Sequence, residues 1–155
     1  MFVLKVFLGI TIIILSVKIG VDKANKYKKI YYFWQSLVLM CDKFLVELLY
    51  KKANISSLKN CKYPFEGFNE LLKNFFDNKK ISLPNFLSKE ESILVYEFFN
   101  SIGKTDTNSQ IKEIESFKNQ FLKISIDKNS FFKKYYTVSI KLGFICGLGL
   151  FIMVI

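Results

Sequence analysis

The chain has 155 residues but no arginine and no histidine; all 23 of its cations are lysine. Without histidine there is no imidazole general base and no imidazole metal ligand. Without arginine there is no bidentate guanidinium fork for phosphate or carboxylate. Most hydrolase triads and His-bearing zinc sites are therefore excluded for this chain acting alone. Breakers are scarce too, with 2 prolines and 7 glycines, which favours helix. The cysteines, Cys41, Cys61 and Cys146, are odd in number and lack a CxxC spacing. That argues against a disulfide framework or a zinc knuckle and fits reduced thiols.

Apolar residues are abundant, at 51% with 17 phenylalanines, so the chain can order itself by burial. They concentrate at the two ends. Phe2 to Val21 is interrupted only by Lys5 and Lys18, and as helix it is about 30 Å long, the thickness of a hydrocarbon core. Thr137 to Ile155 is interrupted only by Lys141, and long lysine stems can reach the headgroups from such positions. We therefore expect a transmembrane helix at 1–21, a helical domain at 22–136 and a second transmembrane helix at 137–155. A cleaved signal peptide is the rival for the first segment, but no small-x-small cleavage site follows it. A buried core helix is the rival for the second.

The segment from Asp22 to Tyr136 holds 20 lysines and all 13 acids, a net charge of +7. Lysines crowd both apolar edges, at Lys23, Lys26, Lys28 and Lys29 and at Lys128, Lys133 and Lys134. The positive-inside rule places this middle segment in the cytoplasm of a cell-membrane protein with two spans, and basic edges attract anionic lipid. Nucleic acid is not expected as a partner, because acids are interspersed and no recognised motif occurs.

Within the middle, apolar residues from Ile30 to Leu48 recur at three- and four-residue steps and predict a helix running on from the first span. Asn54–Cys61 reads as a short helix, and Pro64 as the start of a third. Ser88 and Glu91 form a capping box for a fourth, which Gly103 ends. Thr107-Asn-Ser-Gln110 reads as a second capping box, opening a helix that runs into the second span. The expected fold is all-α, a bundle of about five helices carried by two transmembrane helices.

Four features invite functional assignment. Gly103-Lys104-Thr105 suggests a phosphate loop, but the position that needs glycine is Phe98 and the tripeptide ends a helix. Gly103, Asp106, Thr107 and Gln110 are better explained as a turn and helix cap. Glu47 and Tyr50 lie three apart on one helix and read as bundle anchors or an interface. Gly143-x-x-x-Gly147, with Gly149 near the same face, permits close helix packing, and the first span, with small residues Gly9, Thr11 and Ser16, is the natural partner. No catalytic, cofactor-binding or metal-ligating residue emerges, and the chain reads as a non-enzyme. A small membrane-perturbing pore protein is the rival class, and a packed domain between the spans argues against it.

Three segments in order resemble the stage III sporulation protein AB family of endospore-forming bacteria. Glu47-Leu-Leu-Tyr50 with the following Lys51–Leu58 is similar to that family's Glu-Ile-x-Tyr stretch. Ile102-Gly103-Lys-Thr-Asp106-Thr-Asn-Ser-Gln110-Ile111 resembles its Leu-Gly-x-x-Asp-x-x-x-Gln turn. Lys141-Leu-Gly143-Phe-Ile-Cys-Gly147-Leu-Gly149 resembles its C-terminal tail. Asn54 and Ile55 depart from the pattern, standing where the family usually has a proline. The resemblance implies a scaffold of the mother-cell to forespore channel complex, on the mother-cell side of the outer forespore membrane. Its implied partners are other membrane proteins of that complex, a cytoplasmic ATPase and the lipid bilayer. A fold-level likeness to the platform proteins of type II secretion and type IV pilus machines goes with it, leaving an adaptor of another secretion machine as the alternative.

Overall fold

The computed structural model describes residues 2–50, 58, 61–77 and 79–154, with side chains from residue 6 to 153. Four helices are present among them: α1 (Phe2–Tyr50), α2 (Phe68–Phe76), α3 (Lys89–Ser101) and α4 (Thr107–Val154). The described structure contains no strand. The fold is all-helical, with four described helices rather than about five. The expected short helix at Asn54–Cys61 falls almost wholly outside the described residues.

The 49 residues of α1 and the 48 of α4 form uninterrupted helices, as the absence of internal proline permits. Among the described residues one helix, Thr107–Met153, is long and apolar enough to cross a membrane, where two were expected. Only 6% of its most apolar stretch is buried. A core helix of a water-soluble protein would be mostly covered, so the apolar surface here faces outward. The first expected span begins among side chains outside the described residues.

Two compact units result. One comprises residues 1–31 and 127–155, the other residues 32–126. The division lies about ten residues inside the ends of the apolar runs at 21 and 137. The reason is aromatic pairing within the first unit, where Tyr27 stacks on Tyr135 at 5.1 Å and Tyr31 on Phe132 at 5.9 Å.

The 32–126 unit is organised around phenylalanine. Phe33 is fully buried and meets Trp34, Phe65, Phe68 and Phe86 edge-on, at centroid distances of 5.6–6.0 Å. Phe98 meets Phe121 at 5.1 Å and Phe117 at 5.4 Å, and Phe75 meets Phe99 at 5.0 Å. The edge-to-face pairs among these, all but the tilted Phe75–Phe99 pair, align a positive ring edge with a negative face, adding about 0.5–1.5 kcal/mol each to the gain from burial.

Ser36 locks the entry to α2. Its hydroxyl donates to the Tyr32 carbonyl at 2.8 Å and accepts from the Phe65 amide at 3.0 Å. Phe65 is thereby tied to α1, and the chain turns through Gly67 before helix begins at Phe68. The helix expected from Pro64 thus starts four residues later. The 79–88 connection is irregular, as its Ser and Pro content predicts, and Tyr96 donates to the Ile81 carbonyl at 3.2 Å. At the start of α3, Ser88 accepts from the Glu91 amide at 3.1 Å and Glu91 accepts from the Ser88 amide at 2.9 Å. Lys118 and Asp42 pair at 2.6 Å on the surface of this unit.

Candidate functional site: a small-residue helix pair and a capped turn

In the unit formed by the chain ends, α1 and α4 run antiparallel at close range. The register is read from what glycine permits. A β-carbon on Gly143 would lie 2.8 Å from the Ser16 carbonyl oxygen, and one on Gly20 would lie 2.6 Å from the Ser139 carbonyl oxygen. A β-carbon on Gly147 would lie 3.1 Å from the Ile13 α-carbon. Farther along, Gly9 receives the ring of Phe151. The Ser16 hydroxyl donates to the Gly143 carbonyl at 2.7 Å, a polar contact between helices in an otherwise apolar seam. Small residues let backbones approach until dispersion and such bonds act together.

Gly143 and Gly147 therefore face α1, whereas Gly149 has nothing within 4 Å. Two residues past Gly147 is about 200° around the helix, so Gly149 cannot share its face. Thr11 is also off the seam, and its hydroxyl returns to the Phe7 carbonyl of its own helix at 2.9 Å. Gly20 and Ile13 were not singled out in the sequence. The signal was there in Gly9, Ile13, Ser16 and Gly20, spaced four, three and four apart, and in Ser16-x-x-x-Gly20 as a second small-x-x-x-small pair.

The second constellation is the turn between α3 and α4. Gly103 has φ +79°, a left-handed conformation that glycine adopts without the β-carbon clash. Asp106 caps α4, its carboxylate accepting from the Ser109 amide at 3.2 Å. Hydrogen bonds from the Ser109 side chain and backbone hold the Asp106 carboxyl below its ordinary pKa. Thr107 is the first helical residue. The capping box expected from Thr107 to Gln110 is thus displaced by one residue, and Gln110 does not close it. The amide of Gln110 is buried and reaches across the turn instead. It accepts from the Gly103 amide at 3.1 Å and donates to the Ser101 carbonyl at 3.2 Å. One side chain thereby satisfies two backbone groups at the end of α3.

Glu47 and Tyr50 part company. Glu47 is 8% exposed, at the rim of a cleft of about 300 Å³ also lined by Asp42, Lys43, Val46, Leu58 and Cys61. Tyr50, at the end of α1, is 80% exposed and anchors nothing among the described residues. Cys41 is buried, and burial first, then the charge of Asp42, pushes its thiol pKa far up. It is an inert packing residue, since the thiolate is the reactive form. Burial and neighbouring Cys61 likewise raise the Tyr63 phenol, while the Asp42 hydrogen bond raises Lys118. Among the described residues no three His, Cys, Asp or Glu side chains gather as a metal-holding group.

Compared with protein-family models, curated proteins and solved structures, the chain matches none.

Proposed function

We propose that the chain is a non-enzymatic membrane scaffold that crosses the bilayer at both ends and presents the 32–126 unit in the cytoplasm. The observation that carries the membrane part is the reversal of burial in the 1–31 and 127–155 unit. Gly9, Gly20 and Gly147 are buried, while Phe7, Ile14, Ile19, Phe144, Ile145 and Ile152 are 49–74% exposed. Exposed apolar surface of that extent requires a cover, and lipid is the cover that lysine-flanked apolar runs suit. The sporulation part rests on the three resembling segments. By that resemblance the scaffold serves the mother-cell to forespore channel complex and docks a cytoplasmic ATPase to the envelope assembly.

Two experiments test the two parts separately. A single cysteine at Lys104, in a background with the native cysteines replaced, should resist an impermeant thiol reagent in intact cells and react after permeabilisation. Labelling in intact cells would overturn the orientation. Deletion of the gene should block sporulation after engulfment and leave vegetative growth normal. Normal spores would sink the channel assignment and leave the membrane scaffold standing.

A further inference from the structure

The chain's charge is unevenly shared between its units. Residues 1–31 and 127–155 contain ten lysines against two acids, Asp22 and Asp127, a balance of +8. Residues 32–126 contain thirteen lysines against eleven acids, a balance of +2. Most of the net charge therefore belongs to the unit with the exposed apolar surface, and within it mostly to the stretches that border the apolar runs. Stacking of Tyr27 on Tyr135 and of Tyr31 on Phe132 fixes which residues of α1 and α4 stand side by side. Exposed Lys26 and Lys29 on α1 stand near the height of exposed Lys133 and Lys134 on α4, and exposed Lys23 lies about one turn closer to the apolar side. The Lys134 ammonium lies 6.0 Å from the ring centroid of Tyr135. Lys18 and Lys141, also exposed, stand toward the apolar side.

We propose that this lysine and aromatic collar binds the headgroups of anionic phospholipids and selects them over zwitterionic ones. The proposal rests on the membrane reading above and deepens it by naming the lipid class. Aromatic rings prefer the headgroup level of a bilayer. The exposed apolar side chains Ile19 and Leu142 lie next along the same two helices, where acyl chains would begin. The absence of arginine suits mobile headgroups, because lysine acts on phosphate as a compact charge and does not demand a fixed fork geometry. With several lysines converging on one level, their attraction to a negative surface accumulates.

The test uses the full chain reconstituted in phosphatidylcholine vesicles with a trace of spin-labelled phosphatidylcholine or phosphatidylglycerol. Lipid touching the protein shows a motionally restricted spectrum. The expected result is a relative association of phosphatidylglycerol about threefold or more above phosphatidylcholine at low salt, declining as salt screens the collar. Replacing Lys26, Lys29, Lys133 and Lys134 together by glutamine should bring the ratio close to one. Glutamine keeps helix propensity at these exposed positions. Replacing exposed Lys79, Lys80, Lys89 and Lys104 of the other unit should leave the ratio unchanged. Equal association of both lipids with the wild-type chain, or an undiminished preference in the collar variant, would overturn the proposal. Loss of the preference to inorganic phosphate at matched ionic strength would also overturn it, since the site would then read free phosphate. Absence of a restricted component with either lipid would remove the membrane reading itself, and the collar with it.

Discussion

Among the described residues, everything buried in the 1–31 and 127–155 unit is glycine or alanine: Gly9, Gly20, Ala24 and Gly147. The 32–126 unit buries Phe33, Trp34, Phe44, Phe68, Phe98, Phe99 and Phe121 completely or nearly so. One chain thus holds two opposite solutions to packing. In water, burying a large ring releases solvent, and the gain grows with the area covered. In lipid a leucine gains little by leaving the hydrocarbon for a protein interior. Helices there associate by close contact and hydrogen bonds, so small residues occupy the seam and large ones face outward. The contrast supports assigning different solvents to the two units. It also explains why a hydrophobicity profile alone misplaces the buried face of the terminal helices.

The comparison can be pressed hardest at Phe33. Phe33→Ala should cost about 3–5 kcal/mol, the range for removing a fully buried aromatic ring. Urea denaturation of the full chain in detergent, followed by circular dichroism, would read it. An unchanged midpoint would deny Phe33 its place at the centre of the aromatic cluster. Next comes Gly143→Val, which drives a β-carbon toward a backbone carbonyl that no rotamer change can move aside. The expected cost is about 1–3 kcal/mol. Spin labels at Leu15 and Leu148 should report a lengthened distance in that variant and an unchanged one in Gly149→Val. Equal behaviour of the two glycines would break the proposed register.

Smaller effects sharpen the account of the turn. Gln110→Leu removes the acceptor of the Gly103 amide and one of two donors to the Ser101 carbonyl, which keeps the Lys104 amide, and should cost about 1–2 kcal/mol, read as a lowered melting temperature. The smallest effect belongs to Asp106. Its folded pKa is depressed, so the charged cap stabilises fully above the ordinary carboxylate value of about 4. That contribution is lost as pH falls through the lower folded value. Asp106→Asn keeps a capping oxygen and removes the titration, so the fall in melting temperature between pH 5 and pH 2.5 should become slightly shallower. An identical profile would show that the cap's charge contributes nothing.

Local signals were the legible ones. The Ser88 and Glu91 cap of α3, the left-handed Gly103 and the glycine pair on α4 each depend on residues within one turn of one another. What escaped was set by tertiary context. Gln110 has the right spacing for a capping box, but Asp106 takes the cap and frees its amide to reach Gly103 and Ser101. Pro64 is a good helix starter, yet Ser36, 29 residues away, holds Phe65 in a turn. Tyr50 shares a helix with Glu47 without sharing its burial, because the stripe covered by the bundle has moved past it. The apolar ends were legible as composition. Their facing residues were not, since the glycine pattern of α1 acquires meaning only beside that of α4.

Trp34 is the chain's single tryptophan. It is fully enclosed beside Phe33 and Phe121 in the aromatic core. The protein therefore carries one indole fluorophore, confined to one of its two units. Its emission should be blue-shifted and resistant to aqueous quenchers while that core is intact. Melting of the core would turn the signal red, whereas separation of the terminal helices would leave no direct trace in it. Two processes that ordinary thermal scans merge can thus be followed apart, using light from a residue already in place.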